Sequence, residues 1–348
     1  MKKILSIGQS IINGRLHYGY PLSILAGSNN YLPWLYSNFI QLYCMTYDEI
    51  DDRQKKDGEY YYFDQIDFDF YSPHSIHNHW IMNNPFFDSE CLNRSFLDQF
   101  ELNLTDFLIS MIEQDKYIYL FVDEYYLNKK HHYMHNIMIH GYDLESKCFF
   151  SSGYINGSYE TYTIDFKILE KSFYPDIDFF PYPYNMLYVM RVKKAICYDF
   201  SLLQTCRLLS DYLFSSNTGN NYSLVHHRNH FNNVSFTYGV ETYGVLLNLL
   251  GSPTDDSNKL DIRPFHTLKE HKNVMLSRLR FMEDNDMISS SHSQNYVEIN
   301  RESEIIKSLI MKYSFNKSNS VLVNASIRLN RIREKEFGIL EKVLGEIK

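Results

Sequence analysis

The stretch 117–159, YIYLFVDEYYLNKKHHYMHNIMIHGYDLESKCFFSSGYINGSY, decides the fold. Residues 117–122 form an apolar run rich in β-formers, which predicts a strand. A polar loop rich in Lys and His follows. His135 opens a second strand, HNIMIH, and the turn GYDLESK leads into a third, CFFSS. The short turn between the second and third runs predicts an antiparallel hairpin.

Working outward, the flanking sequence mixes both periods. Residues 104–114 carry apolar side chains at helical spacing and lead into the first strand. In 23–44 a short helix, a Pro-Trp turn and a second apolar segment are expected. The run YPDIDFFPYPY at 174–184 holds three prolines and cannot be helical, so a domain boundary is placed there. Past a strand in LYVMRVKK the period changes. Residues 202–214, 240–250, 265–282, 304–313 and 325–347 all repeat apolar residues every three to four positions. In the last of these, Leu329, Ile332, Leu340, Val343 and Ile347 share one face. Polar loops are expected at 215–233 and 284–294. The fold class is α+β, with a mixed domain at 1–184 and a mainly helical region at 185–348.

Composition narrows the function classes. With 348 residues, 44% of them hydrophobic, the chain can bury one large core or two ordinary ones. A net charge of −8 argues against a nucleic-acid partner. No apolar run approaches the ~18 residues of a membrane span. MKKILSIGQS begins like a signal peptide, but Gln9 and Asn13 interrupt the apolar run, so a cytoplasmic location is expected. The five cysteines (Cys44, Cys91, Cys148, Cys197 and Cys206) have no CxxC spacing and form an odd set, which fits reduced thiols.

The segments VDEYYLN, HNIMIHGYD and CFFSSGYINGSY resemble the N-terminal domain of the butirosin biosynthesis protein H family. So do YPLSILAG and PWLYSNFIQL near the start, and YGVETYGVLLNLL and DIRPFHTLKEHKNVMLSRL in the helical half. The resemblance rests on the order of many weak motifs across most of the chain. It implies a papain-like or C39-like domain and an acyl- or aminoacyltransferase of natural-product biosynthesis. Such an enzyme takes an acyl group from a carrier-protein thioester, borne on a phosphopantetheine arm, and passes it to a small amine. It implies no other cofactor. A Cys thiolate attacks the thioester, a His moves protons, and an acidic or amide residue fixes the His tautomer.

Transferred onto this chain, the catalytic His falls on His135. The nucleophile position, at the start of the first helix, falls on His17, and 1–43 contains no cysteine at all. The orienting acid falls on Ser152 or Gly153, with Asn156 a little beyond as an amide substitute. Gln9 is the candidate oxyanion donor, and Tyr18 borders the same helix start. In the helical half, Arg263, Glu270 and His271 are candidates for the acceptor side of a cleft, although His271 shares a face with Leu268, Met275 and Met282 and equally suits a hydrogen-bonded core. Ser10 and Ser23 are weaker hydroxyl candidates. Cys148 sits in apolar text and reads as packing.

No metal site is expected. His131, His132, His135 and His140 cluster in sequence, but His135 and His140 fall on opposite strand faces and no Cys or acid stands at ligand spacing. Lys129, Lys130, Lys193 and Lys194 are candidate contacts for an acidic carrier. Two functions stay open. One is an acyltransferase with a substituted nucleophile. The other is a catalytically degenerate papain-fold partner of a carrier protein or of an active paralogue.

Overall fold

The structure is a computed structural model and describes residues 1–47, 66–71, 79–129, 132–155, 158–175, 184–194, 196–221, 234–251 and 260–347. In chain order the first elements are β1 (Lys2–Ile4), α1 (Leu16–Leu25), α2 (Leu32–Asn38), β2 (Leu42–Tyr47), β3 (Ile66–Phe70) and α3 (His79–Asn83). The next are β4 (Phe87–Asn93), α4 (Arg94–Gln99), α5 (Leu104–Glu113), β5 (Tyr117–Asp123), α6 (Tyr125–Asn128), β6 (Met134–Asp143), β7 (Cys148–Ile155) and β8 (Ser158–Asp165). Then follow α7 (Phe166–Phe173), β9 (Met186–Val192), α8 (Leu202–Leu213), β10 (Val234–Tyr238), α9 (Thr242–Gly251), α10 (Arg263–Asp284), α11 (His292–Asn316) and α12 (Asn319–Glu346).

The chain divides into two compact units. The first holds Met1–Tyr31 and His74–Cys197; the second holds Leu32–Asp52, Tyr62–Pro73 and Tyr198–Lys348. The sequence reading drew a single line at 184. The observed division instead gives β9 to the first unit and α2, β2 and β3 to the second, because strand pairing joins segments far apart in sequence.

The first unit is built on an antiparallel sheet in the order β4-β9-β5-β6-β7-β8, with β1 added against β6. The expected hairpin, β6 on β7, lies within it. β5 pairs with β6 so that Val122 faces His135, and β6 pairs with β7 from Asp143 opposite Cys148. Every residue of β5 is buried, as a continuous apolar strand between two neighbours requires. The register of β6 on β7 slips between Ile139 and Gly141, a bulge centred on His140. There the His140 carbonyl accepts from the Leu5 amide at 2.7 Å, tying down the segment after β1. Gly141 is required at this point, since a Cβ would lie 2.7 Å from the Lys3 carbonyl oxygen.

Helix α1 is buried along its whole length, as expected for a helix that is apolar all round. It meets the sheet through Tyr20, whose hydroxyl donates to the Asn136 carbonyl at 2.9 Å and whose ring packs edge-on against Tyr119. Below β5, the Arg94 guanidinium donates to the Phe121 carbonyl at 3.1 Å and lies 3.9 Å over the Phe173 ring. Burial pushes its pKa down to about 9.

The second unit combines α2 and α8–α12 with a three-stranded sheet, β10-β2-β3. The helices match the periodicity, but α11 starts earlier than expected and the region also carries the short sheet. Three buried charges organise this core. Arg278 donates to the Tyr36 and Phe39 carbonyls at 2.6 and 2.5 Å, closing the end of α2. Lys272 and Glu336 pair at 2.8 Å with both side chains fully buried. Among the described residues no helix is long and apolar enough to cross a membrane.

Candidate functional site

Two consecutive carboxylates end β5, and each holds a histidine. Antiparallel pairing of β5 with β6 sets residues 122–123 against 134–135, so the acids after the apolar run meet the histidines before and within HNIMIH. His135 Nδ1 lies 2.5 Å from Glu124 Oε1, both side chains 22% exposed. His132 Nδ1 lies 2.6 Å from Asp123 Oδ2. Asp123 is fully buried; its Oδ1 also accepts from the Tyr125 and Tyr133 amides at 3.0 and 3.1 Å. Its backbone carbonyl accepts from the Ser172 hydroxyl at 2.7 Å.

These bonds fix both acids. Glu124 is further held by Asn128, whose amide donates to Oε2 at 3.3 Å, and by its own N–H donating to the Tyr133 carbonyl at 2.9 Å. The His132 ring stacks on Tyr125 at 4.3 Å, and the Lys129 ammonium lies 5.2 and 5.4 Å from the Tyr125 and Tyr126 ring centres. A Nδ1–H bonded to a carboxylate leaves Nε2 of each imidazole as the proton-accepting nitrogen. The arrangement supplies two carboxylate-oriented bases on adjacent turns of chain.

Tyrosines line the neighbouring sheet. The Tyr162 hydroxyl is buried without a hydrogen-bond partner among the described residues. Burial raises its pKa, with the Glu124 charge adding to the effect. Both the Tyr162 and Tyr20 hydroxyls lie 3.2 Å from the place a Cβ at Gly153 would take. The two phenol groups pack directly against the Gly153 backbone, where a side chain would crowd them.

His135 is half-buried, not sealed in apolar core. Ser152 does not stand behind it. Ser152 pairs with Met138, three residues further along β6, and its hydroxyl lies 3.4 Å from His140 Nε2 and 3.1 Å from Thr161 Oγ1. The turn closes on Asp143 and Cys148, and even after the one-residue bulge at His140 Ser152 remains three residues from His135; the orienting group comes instead from Glu124, directly after β5. Burial holds the His140 pKa below the ordinary histidine value, which keeps this second imidazole neutral. Asn156, Lys130 and His131 lie outside the described residues.

His17 sits in the first turn of α1, buried, its ring 4.1 Å from that of Tyr18, which is itself buried. Gln9 is exposed and follows Gly8, whose amide donates to the Ser23 carbonyl at 2.8 Å. That contact sets Gln9 alongside the last turn of α1, whereas His17 is in the first. Ser10 is buried and receives the Ile12 amide at 3.2 Å; the Ser23 hydroxyl donates back to the Tyr20 carbonyl at 2.7 Å.

In the second unit, Arg263 pairs with Asp261 at 2.9 Å, and the carboxylate of Glu270 lies 3.2 Å from His266 Nε2. His271 is a core histidine. Its Nε2 donates to the Ile40 carbonyl at 2.7 Å, its Nδ1 accepts from Lys272 at 3.0 Å, and burial holds its pKa well below the usual range.

Sequence reasoning missed Asp123 and Glu124 as site residues. The signal was present: two acids directly after the strand whose antiparallel neighbour begins at the histidines. The resemblance instead implies an acid on the next strand. Among the described residues no group of three or more His, Cys, Asp or Glu side chains is arranged to hold a metal ion. The chain matches no protein-family model and no curated protein.

Proposed function

We propose that this protein is a papain-fold-like acyl- or aminoacyltransferase that passes an acyl group from a carrier-protein thioester to a small amine without forming an enzyme thioester. The single observation carrying this reading is the His135–Glu124 pair, a half-exposed imidazole whose tautomer a carboxylate fixes at 2.5 Å. The absence of cysteine before Cys44 removes the family's covalent route but not the base. The acceptor nitrogen attacks the thioester carbonyl, the N–C bond forms and the C–S bond breaks. His135 Nε2 takes the amine proton and returns it to the departing pantetheine sulfur. Five free cysteines fit a reducing, cytoplasmic setting for this chemistry.

The test is transfer from an aminoacylated carrier protein to a panel of amines, read by intact mass of the carrier and of the chain together with product amide. His135→Ala is expected to lower the rate by about 10²–10⁴, the usual contribution of a general base. Glu124→Gln should lower it as well, by freeing the tautomer. Transfer unaffected by His135→Ala, or an acyl adduct on the chain, would refute this route. His17 at the helix start favours a second reading, a carrier-binding partner without turnover. Binding of the acylated carrier with transfer appearing only in His17→Cys would establish that reading instead.

A further inference from the structure

A cavity of about 530 Å³ opens in the second unit where the end of α8, the 3₁₀ turn Gly239–Glu241 and one stripe of α12 meet. Its apolar lining includes Phe214, Val240 and Phe337, and its charged lining is Arg333, Glu241 and Glu334. Three features mark it as a built site. Phe214 is 58% exposed at its rim and presents an aromatic face to whatever enters. The 3₁₀ wall is fixed, since the Glu241 amide donates to the Ser215 hydroxyl at 3.0 Å and the Thr242 hydroxyl to the Gly239 carbonyl at 2.6 Å. The charges are unspent. Elsewhere on α12, Arg328, Arg331 and Lys335 all pair with carboxylates of α11. The side chains of Arg333, Glu241 and Glu334 make no ion pair or side-chain hydrogen bond among the described residues.

An apolar wall carrying both an unpaired guanidinium and unpaired carboxylates is complementary to a zwitterion with an apolar side chain. We propose that this cavity binds a small apolar amino acid or dipeptide. Arg333 takes the ligand carboxylate in a charge-assisted contact, and Glu241 and Glu334 take the ammonium. The apolar side chain lies against Phe214, Phe337 and Val240. The volume is within the range of small-molecule sites and accommodates a dipeptide. This site is independent of the His135–Glu124 chemistry.

The experiment is calorimetric titration of the full chain with phenylalanine and with phenylalanyl-phenylalanine. The controls are phenethylamine, which lacks the carboxylate, and 3-phenylpropionate, which lacks the ammonium. A zwitterion is expected to bind at least about tenfold tighter than either control. Arg333→Gln should weaken the zwitterion by about tenfold while leaving phenethylamine unchanged. Phe337→Ala should weaken all ligands that bind, and far-UV circular dichroism should show both variants folded. No binding by either zwitterion at millimolar concentration, or equal binding of zwitterion and controls, overturns the proposal. So does binding that Arg333→Gln leaves unaltered.

Discussion

Replacing Lys272 by Met tests how the second unit is held together. The ammonium is fully buried, and its three N–H groups are shared among both Glu336 oxygens at 2.9 and 2.8 Å, the Tyr212 hydroxyl at 2.9 Å and His271 Nδ1 at 3.0 Å. Glu336 also accepts from the hydroxyls of Tyr212 at 2.8 Å, Tyr243 at 2.7 Å, and Tyr296. Burial raises the pKa of all three phenols, and the Glu336 charge raises it further, so they remain donors. Burial also pushes the Lys272 amine below its usual range even though Glu336 pulls it back. The pair is therefore a poor source of net stability, but breaking it is costly. Lys272→Met strands a carboxylate in the core and leaves His271 Nδ1 without its donor. A cost of about 3–5 kcal/mol follows, a third or more of the stability of a typical domain. Lys272→Met/Glu336→Met removes both charges and should cost less than the two single changes added together, by about 1–3 kcal/mol. The assay is urea unfolding followed by far-UV circular dichroism at neutral pH. A loss below about 1 kcal/mol for Lys272→Met, or strict additivity in the double variant, would refute the closed network.

Two further outcomes test local structure. Gly239 has φ +54°, and a Cβ there would lie 2.0 Å from the Tyr212 carbonyl oxygen. Gly239→Ala should therefore cost at least about 2 kcal/mol and lower the thermal midpoint by roughly 4–8 °C; an unchanged midpoint would show that the turn relaxes freely. Glu346 accepts from the Ser289 amide and hydroxyl and from His292 at 2.7–2.8 Å, which holds its pKa at about 2 against an ordinary 4.5. A depressed acid stabilises above its unfolded value, and that contribution is lost as pH falls from 4.5 through about 2. Glu346→Gln should flatten stability against pH across that window, and an unaltered acid limb in the unfolding curves would contradict the assignment.

Much of the first unit could be read directly. The run 117–122, HNIMIH and CFFSS were expected strands and are β5, β6 and β7, with β6 and β7 paired antiparallel as expected. Local alternation and short turns carry that information. The last four long helical stretches were equally legible from their periodicity, with bounds extending beyond the apolar repeat in α11. Strands β2, β3, β4 and β10 were not. Each is short, and β2 finds its partner β10 almost two hundred residues away, so no local pattern marks them.

The site divides along the same line. The sequence by itself supplied His135, a base at the start of a strand, and excluded a cysteine at the first helix. It also supplied Asp123 and Glu124 without revealing what they do. Only the tertiary structure decided which carboxylate orients His135. That choice depends on register: Ser152 stands opposite Met138, three residues along from His135, while the pairing of β5 with β6 brings Glu124 to the imidazole. The roles of His271, Lys272 and Glu336 were decided there too. Residues 64 positions apart share one buried ion pair, and burial, which no spacing encodes, makes them a core network.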